Sequence, residues 1–167
     1  EEVFSNRKSG VLGIKLESND EVISVFEIKG GEEIFVITSE GYLLIIKDNL
    51  PIQKRQAKGV KGSKGEALFS GVKDGDKLIL FFSKGFVKFF DMKDIKNQQR
   101  GSRGFSIFEK DKYGFLIFAK VVKEENEVIL NDGAIKRINL REIPLVKRTN
   151  APKKIQGVNE IKSVFIF

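Results

Sequence analysis

The stretch from Asn97 to Phe105 reads Asn-Gln-Gln-Arg-Gly-Ser-Arg-Gly-Phe and sets two guanidiniums, Arg100 and Arg103, among amides and glycines. Arginine carries a permanent charge on a planar fork of donors that fits phosphate oxygens, and glycine lets main-chain N–H groups approach an anion closely. The chemistry this loop suits is the holding of a polyanion, with Gln98, Gln99, Arg100, Gly101, Arg103 and Gly104 as the candidate contacts. Bond-making chemistry lacks its usual parts: the 167 residues contain no His and no Cys, so the commonest general base, thiolate zinc sites and disulfides are all absent.

Further cations gather in comparable segments. Between Ile52 and Gly65 stand Lys54, Arg55, Lys58, Lys61 and Lys64 with no acid among them. Lys136, Arg137, Arg148, Lys153 and Lys154 lie in the last third of the chain, and Arg7 and Lys8 near its start. Each such segment read alone is a solvated connector; their recurrence at one phase of a repeat suggests a belt of positive charge that fits a long polyanion. Paired carboxylates at Asp74 and Asp76, or at Asp91 and Asp94, could bind Mg²⁺ or do acid/base work, but they read more simply as turn residues beside strands. The run from Lys58 to Gly65 has the wrong spacing for a P-loop. No metal or cofactor is therefore expected within this chain. Phe105, beside the arginine loop, is the candidate for stacking on an unpaired base.

Composition bounds the rest. Thirty Lys and Arg against twenty-three Asp and Glu give a formal charge of +7, and 41% hydrophobic residues suffice for a packed core. The longest apolar run, Leu78 to Phe82, is far short of the roughly 20 residues of a membrane-spanning helix. With no initiator Met and no leader at Glu1-Glu2-Val3, the chain is expected to be a cytoplasmic piece of a longer protein, without a membrane partner.

The elements that must position these cations form a repeat. Glu33–Ile46, Asp76–Phe90 and Glu127–Ile138 each read as an apolar run, a polar turn ending in Gly, and a second β-rich run, the pattern of a hairpin. Gly41, Gly85 and Gly133 stand 44 and 48 residues apart, the period of propeller blades. Each hairpin is followed by a basic, glycine-bearing connector and another β-like run. Arg7–Leu16 and Asp20–Val25 supply the second half of one more unit. The sequence thus predicts an all-β array of four-stranded units with exposed basic connectors: a half repeat over 1–29 and full repeats over 30–72, 73–122 and 123–167. Helix signals are confined to short stretches such as Asp91–Ile95.

Gln98-Gln99-Arg100-Gly101-Ser102-Arg103-Gly104 resembles the box Gln-Arg-Arg-Gly-Gly-Arg-Gly of the C-terminal domain of the type IIA DNA topoisomerase A subunit, with Gln99 in place of Arg and Ser102 in place of Gly. Ser83–Lys88 and Asp132–Arg137 resemble that family's hairpins, and Gly10–Leu16 with Asp20–Val25 its second half-repeat. The resemblance implies a β-pinwheel, a propeller-like disc whose blades exchange strands, with duplex DNA bent around a basic rim. It also implies the remaining domains of the A subunit, together with the B subunit, as partners, with ATP and Mg²⁺ used only in the parent enzyme. The strand-cleaving Tyr would lie in another domain; Tyr42 and Tyr113 have no metal-site pattern beside them. Whether the parent is gyrase or topoisomerase IV, and whether the chain is a fragment or a shortened domain, stays open. Two other classes compete: a propeller-type protein-interaction module with basic loops, and a single-strand or RNA binder using Phe105.

Overall fold

The computed structural model describes residues 11–47, 50–54, 56–123 and 126–167. Its first hairpin is β1 (Glu33–Thr38) and β2 (Tyr42–Lys47), and β3 (Ala67–Val72) returns to pair antiparallel with β1. The second is β4 (Lys77–Phe82) and β5 (Phe86–Asp91); β6 (Phe105–Ser106) follows, and β7 (Leu116–Val122) pairs back onto β4. The third is β8 (Glu127–Asn131) and β9 (Ile135–Asn139), followed by a single 3-10 turn (Leu140–Glu142), β10 (Leu145–Val146), β11 (Lys153–Lys154) and β12 (Ser163–Ile166). The pairings of β3 on β1 and of β7 on β4 carry a register shift at the same place, one step before the hairpin turn.

Strands are exchanged between units. β6, from the connector after the second hairpin, pairs with β2 of the first, and β10 and β11, from the connector after the third, pair with β5 of the second. The sheets are ordered β3-β1-β2-β6, then β10-β5-β4-β7 with β11 also on β5, then β12-β8-β9. The third holds three strands among the described residues.

The uninterrupted run Leu78–Phe82 has its physical reason here. A strand buried on both faces needs no polar alternation, and β4 divides its side chains between two cores. Leu78, Leu80 and Phe82 pack with Phe35, Ile37, Leu43 and Ile45 of the first sheet, while Ile79 and Phe81 pack with Val128, Leu130, Val164 and Ile166 of the third. The sheets are therefore stacked face to face. The outer face of the first sheet, Ile34, Val36, Leu44 and Ile46, packs against Phe26 and Ile28 of the segment before β1 and against Leu50.

One expectation is corrected. The β-like run Asp20–Val25 is not a strand, and no strand occurs between residues 11 and 32; Val22, Ile23 and Val25 are exposed. Asp91 ends β5 and Asp94 lies in the turn after it, as their reading as turn residues beside a strand has it; the Lys93 N–H donates to Asp91 Oδ1 at 2.8 Å and the Ile95 N–H to the Met92 carbonyl at 2.9 Å.

Candidate nucleic-acid interface

The connectors touch one another in chain order. The Lys15 N–H donates to the Ala57 carbonyl at 3.3 Å, and Lys58 Nζ lies 2.7 Å from Glu17, joining the first connector to the second. The second meets the arginine loop through the Gly101 N–H on the Gly62 carbonyl at 2.8 Å and the Lys64 N–H on the Ser102 carbonyl at 2.9 Å. The loop runs into β6, and Arg148 of the next connector donates from Nη1 to the Ser106 carbonyl at 2.8 Å. Four cation-bearing segments from successive units thus form one linked series.

Within the loop the residues divide by role. Gln98 is occupied by the fold: its backbone N–H donates to the Ile45 carbonyl at 2.8 Å, its Oε1 accepts from the Ile45 N–H at 3.1 Å, and its amide donates to the Lys96 carbonyl. It closes the edge of β2 beyond β6, and its amide is spent within the protein. Gln99, Arg100 and Arg103 are exposed. The Arg103 guanidinium lies over the Tyr42 ring at 4.8 Å, with Glu40 3.8 Å away, so stacking orients it while its charge still faces solvent. Gly101 and Gly104 both have positive φ, 78° and 85°. A Cβ on Gly101 would meet nothing, whereas one on Gly104 would collide with the Leu43 carbonyl. The sequence suggests close approach to a phosphate as the reason for these glycines; at Gly104 the close approach is to β2.

Of the other predicted cations, Lys54, Lys58, Lys61, Lys64, Arg137, Lys153 and Lys154 are exposed, and Lys136 and Arg148 are half-buried. Arg7, Lys8 and Arg55 lie outside the described residues. Lys154 stacks over Phe86 at 5.1 Å while donating to the Lys84 carbonyl at 2.5 Å, repeating the Arg103–Tyr42 arrangement one unit on. Tyr42 and Phe86 each follow a hairpin glycine; the third hairpin has Ala134 there. Lys136 donates to Asp132 at 2.5 Å and to the Gly157 carbonyl at 2.7 Å, and the hydrogen bond to Asp132 holds that carboxyl below its usual value. Phe105 is partly exposed, but the Arg148 guanidinium lies over its ring at 5.1 Å, which leaves less of that surface for a base.

Sequence reasoning missed Lys88. It is 1% exposed, faces the core between the first two sheets, and has no carboxylate partner among the described residues. Burial, with the Arg148 guanidinium adding to it, pushes its pKa down to about 8. The available signal was its offset of three from the hairpin glycine, which Lys136 shares. Among the described residues no group of three or more His, Cys, Asp or Glu could hold a metal ion, and no helix is long and apolar enough to cross a membrane.

Face-stacked, mainly antiparallel sheets that exchange edge strands, bearing cationic connectors in series, define a β-pinwheel of the propeller class. The family model described as the DNA gyrase C-terminal domain, beta-propeller, matches residues 2–29, 32–83, 76–123 and 131–160, and the chain belongs to that family. It is 30% identical to the DNA gyrase A subunit of Ureaplasma parvum serovar 3 over 98% of this chain and 21% of that protein. It is 28% identical to the DNA gyrase A subunit of Pseudomonas aeruginosa over 93% and 17%. The chain thus spans about a fifth of the length of these relatives. In fold it is similar to the crystal structure of the C-terminal domain of DNA topoisomerase IV, with a TM-score of 0.84 at 20% identity, covering 98% of this chain and 55% of that one. The DNA gyrase A C-terminal domain gives 0.72 at 23%, covering 96% and 59%.

Proposed function

We propose that this domain binds duplex DNA largely without sequence preference along its linked connectors and bends the duplex around them, as part of the A subunit of a type IIA topoisomerase. The observation that carries the reading is the series of hydrogen bonds joining Ala57, Gly62–Lys64, Gly101–Ser102 and Ser106–Arg148, since it makes separate basic loops one track. The box residues Gln99, Arg100, Gly101 and Arg103 and the rim cations Arg7, Lys8, Lys54, Arg55, Lys58, Lys61, Lys64, Lys136, Arg137, Arg148, Lys153 and Lys154 supply phosphate contacts; Gln98 and Gly104 shape the loop. The units are a half repeat, 1–29, and repeats 30–72, 73–122 and 123–167. The domain performs no bond chemistry itself. Strand cleavage, ATP and Mg²⁺ belong to the other domains of the A subunit and to the B subunit, in the bacterial cytoplasm.

Bending 20–30 base pairs costs about 1–6 kcal/mol, which several phosphate contacts can offset. With about five phosphates engaged, log affinity should fall against log salt with a slope of about −4 to −5. The test is a salt titration on a long linear duplex and its matching single strand. A steep slope with duplex preference supports the reading. A flat slope indicates a protein-interaction module, and preference for the single strand indicates a stacking binder.

A further inference from the structure

Lys88 lies in the middle of β5, between Phe86 and Phe90 on the face packed against the first sheet, where a charge is costly unless its donors are satisfied. An ammonium has three donors. Here each finds a main-chain carbonyl: Ile107 at 2.5 Å, Arg148 at 2.6 Å and Asn150 at 2.6 Å. Ile107 ends the segment that carries β6 and closes the first unit; Arg148 and Asn150 belong to the connector that closes the second. One buried side chain therefore joins two successive connectors, and Arg148, which it holds by the main chain, presents its guanidinium to Ser106 and Phe105.

We propose that Lys88 is a positioning residue of the DNA track: by binding the carbonyls of Ile107, Arg148 and Asn150 it fixes the relative orientation of two successive connectors, and so sets how sharply bound duplex is bent. This rests on the DNA-bending reading above. The grip itself comes from the cationic side chains of the track; Lys88 acts on Arg148 through the main-chain carbonyl and leaves its guanidinium charge in place. A hairpin lysine at the same offset, Lys136, differs in being partly exposed and paired with Asp132, so the all-carbonyl arrangement belongs to Lys88.

The surroundings make the clamp sensitive to pH. The charged group acting on Lys88 is Arg148, which like burial disfavours the ammonium. Across the sheet stands Leu80 of β4; β10 contributes Leu145 and Val146; β11 contributes Lys153 and Lys154, the latter engaged at Lys84 and Phe86. Glu109, near Ile107, is held by Lys112 at 2.7 Å. As pH rises through about 8 the neutral amine has two donors for three carbonyls.

The test joins DNA-free and DNA-bound readouts. In the wild type, a nitrogen-15 signal of the Lys88 ammonium should be protected from exchange and titrate near pH 8, well below the value of about 10.4 for a lysine in a model peptide; an unprotected signal that titrates at that model value overturns the clamp. In Lys88→Met, amide exchange over residues 105–107 and 147–151 should quicken by about tenfold or more, with β1, β2 and β4 still protected. Unchanged exchange in those segments also overturns it. On a duplex labelled at both ends, Lys88→Met should keep the wild-type salt slope and lose part of the end-to-end approach, and the wild type should show a like loss between pH 7 and pH 9.5. An undiminished bend in the variant overturns the positioning role. Wild type that binds no duplex overturns the DNA reading and this role with it, and the exchange results then decide the clamp on their own.

Discussion

Replacing each loop glycine by alanine separates the local conformational cost from the docking cost. Gly101 and Gly104 both sit in the left-handed region, with φ of 78° and 85°, so either alanine costs about 1–2 kcal/mol for backbone strain. At Gly101 the new Cβ points into open space. At Gly104 it strikes the Leu43 carbonyl and comes within 2.8 Å of Leu44 Cδ1, on a strand buried on both faces that cannot yield cheaply. Relief requires β6 to move away from β2, adding about 1–3 kcal/mol for overpacking. Gly101→Ala is therefore expected to destabilise by about 1–2 kcal/mol, and Gly104→Ala by about 2–5 kcal/mol. Denaturant unfolding followed by tyrosine fluorescence reads the difference directly: the chain has no Trp, and Tyr42 adjoins the disturbed pairing. Hydrogen exchange at Leu43 and Phe105 locates it. Equal losses in the two variants, or a larger loss at Gly101, would refute the idea that strand docking fixes glycine at 104.

Other consequences follow from the same geometry. Arg100→Ala/Arg103→Ala should weaken duplex binding to a similar degree on unrelated sequences and flatten the salt slope by about 1 for each phosphate released, measured by fluorescence anisotropy; an unchanged slope with weaker binding would show that these arginines act through the fold. Glu33 is held below its usual 4.5 by hydrogen bonds from Lys73, 2.9 Å away, and from Asn97. A carboxyl with a lowered folded value stabilises above its unfolded value, and that contribution disappears as pH falls through the folded one. Glu33→Gln should thus cost up to about 1 kcal/mol at pH 7 and nothing near pH 2, with a thermal denaturation series across pH as the measurement.

The repeat was legible because hairpin patterning is local: an apolar run, a turn glycine and a second run state the pairing of β1 with β2, β4 with β5 and β8 with β9, each within one short hairpin. Strand exchange was not legible in the residues themselves, because Phe105–Ser106 and Lys153–Lys154 are two-residue strands whose partners lie far away in sequence; it entered through the family resemblance. For the same reason Asp20–Val25 reads as a strand by composition yet finds no edge to join. In the site, exposure of Arg100, Arg103 and most rim cations followed from charge alone. The commitment of Gln98 to Ile45, the close approach of Gly104 to Leu43 and the burial of Lys88 depend on connectors crossing from one unit to the next, which composition does not record. A lysine inside a strand reads as a solvent-facing residue; here three carbonyls brought over it by later segments satisfy the inward-facing ammonium.

The most direct test of the account is the path of DNA over the connectors. The chain contains no Cys, so a single thiol introduced by Lys58→Cys, Arg100→Cys or Lys153→Cys is unique and can carry a photo-crosslinker. Mapping the crosslinks on one long duplex of defined sequence should place them at successive positions in the order 58, 100, 153, with loss of all three at high salt. Crosslinks from the three sites falling on one common stretch, or in an order unrelated to the connector series, would contradict a duplex laid along a single track.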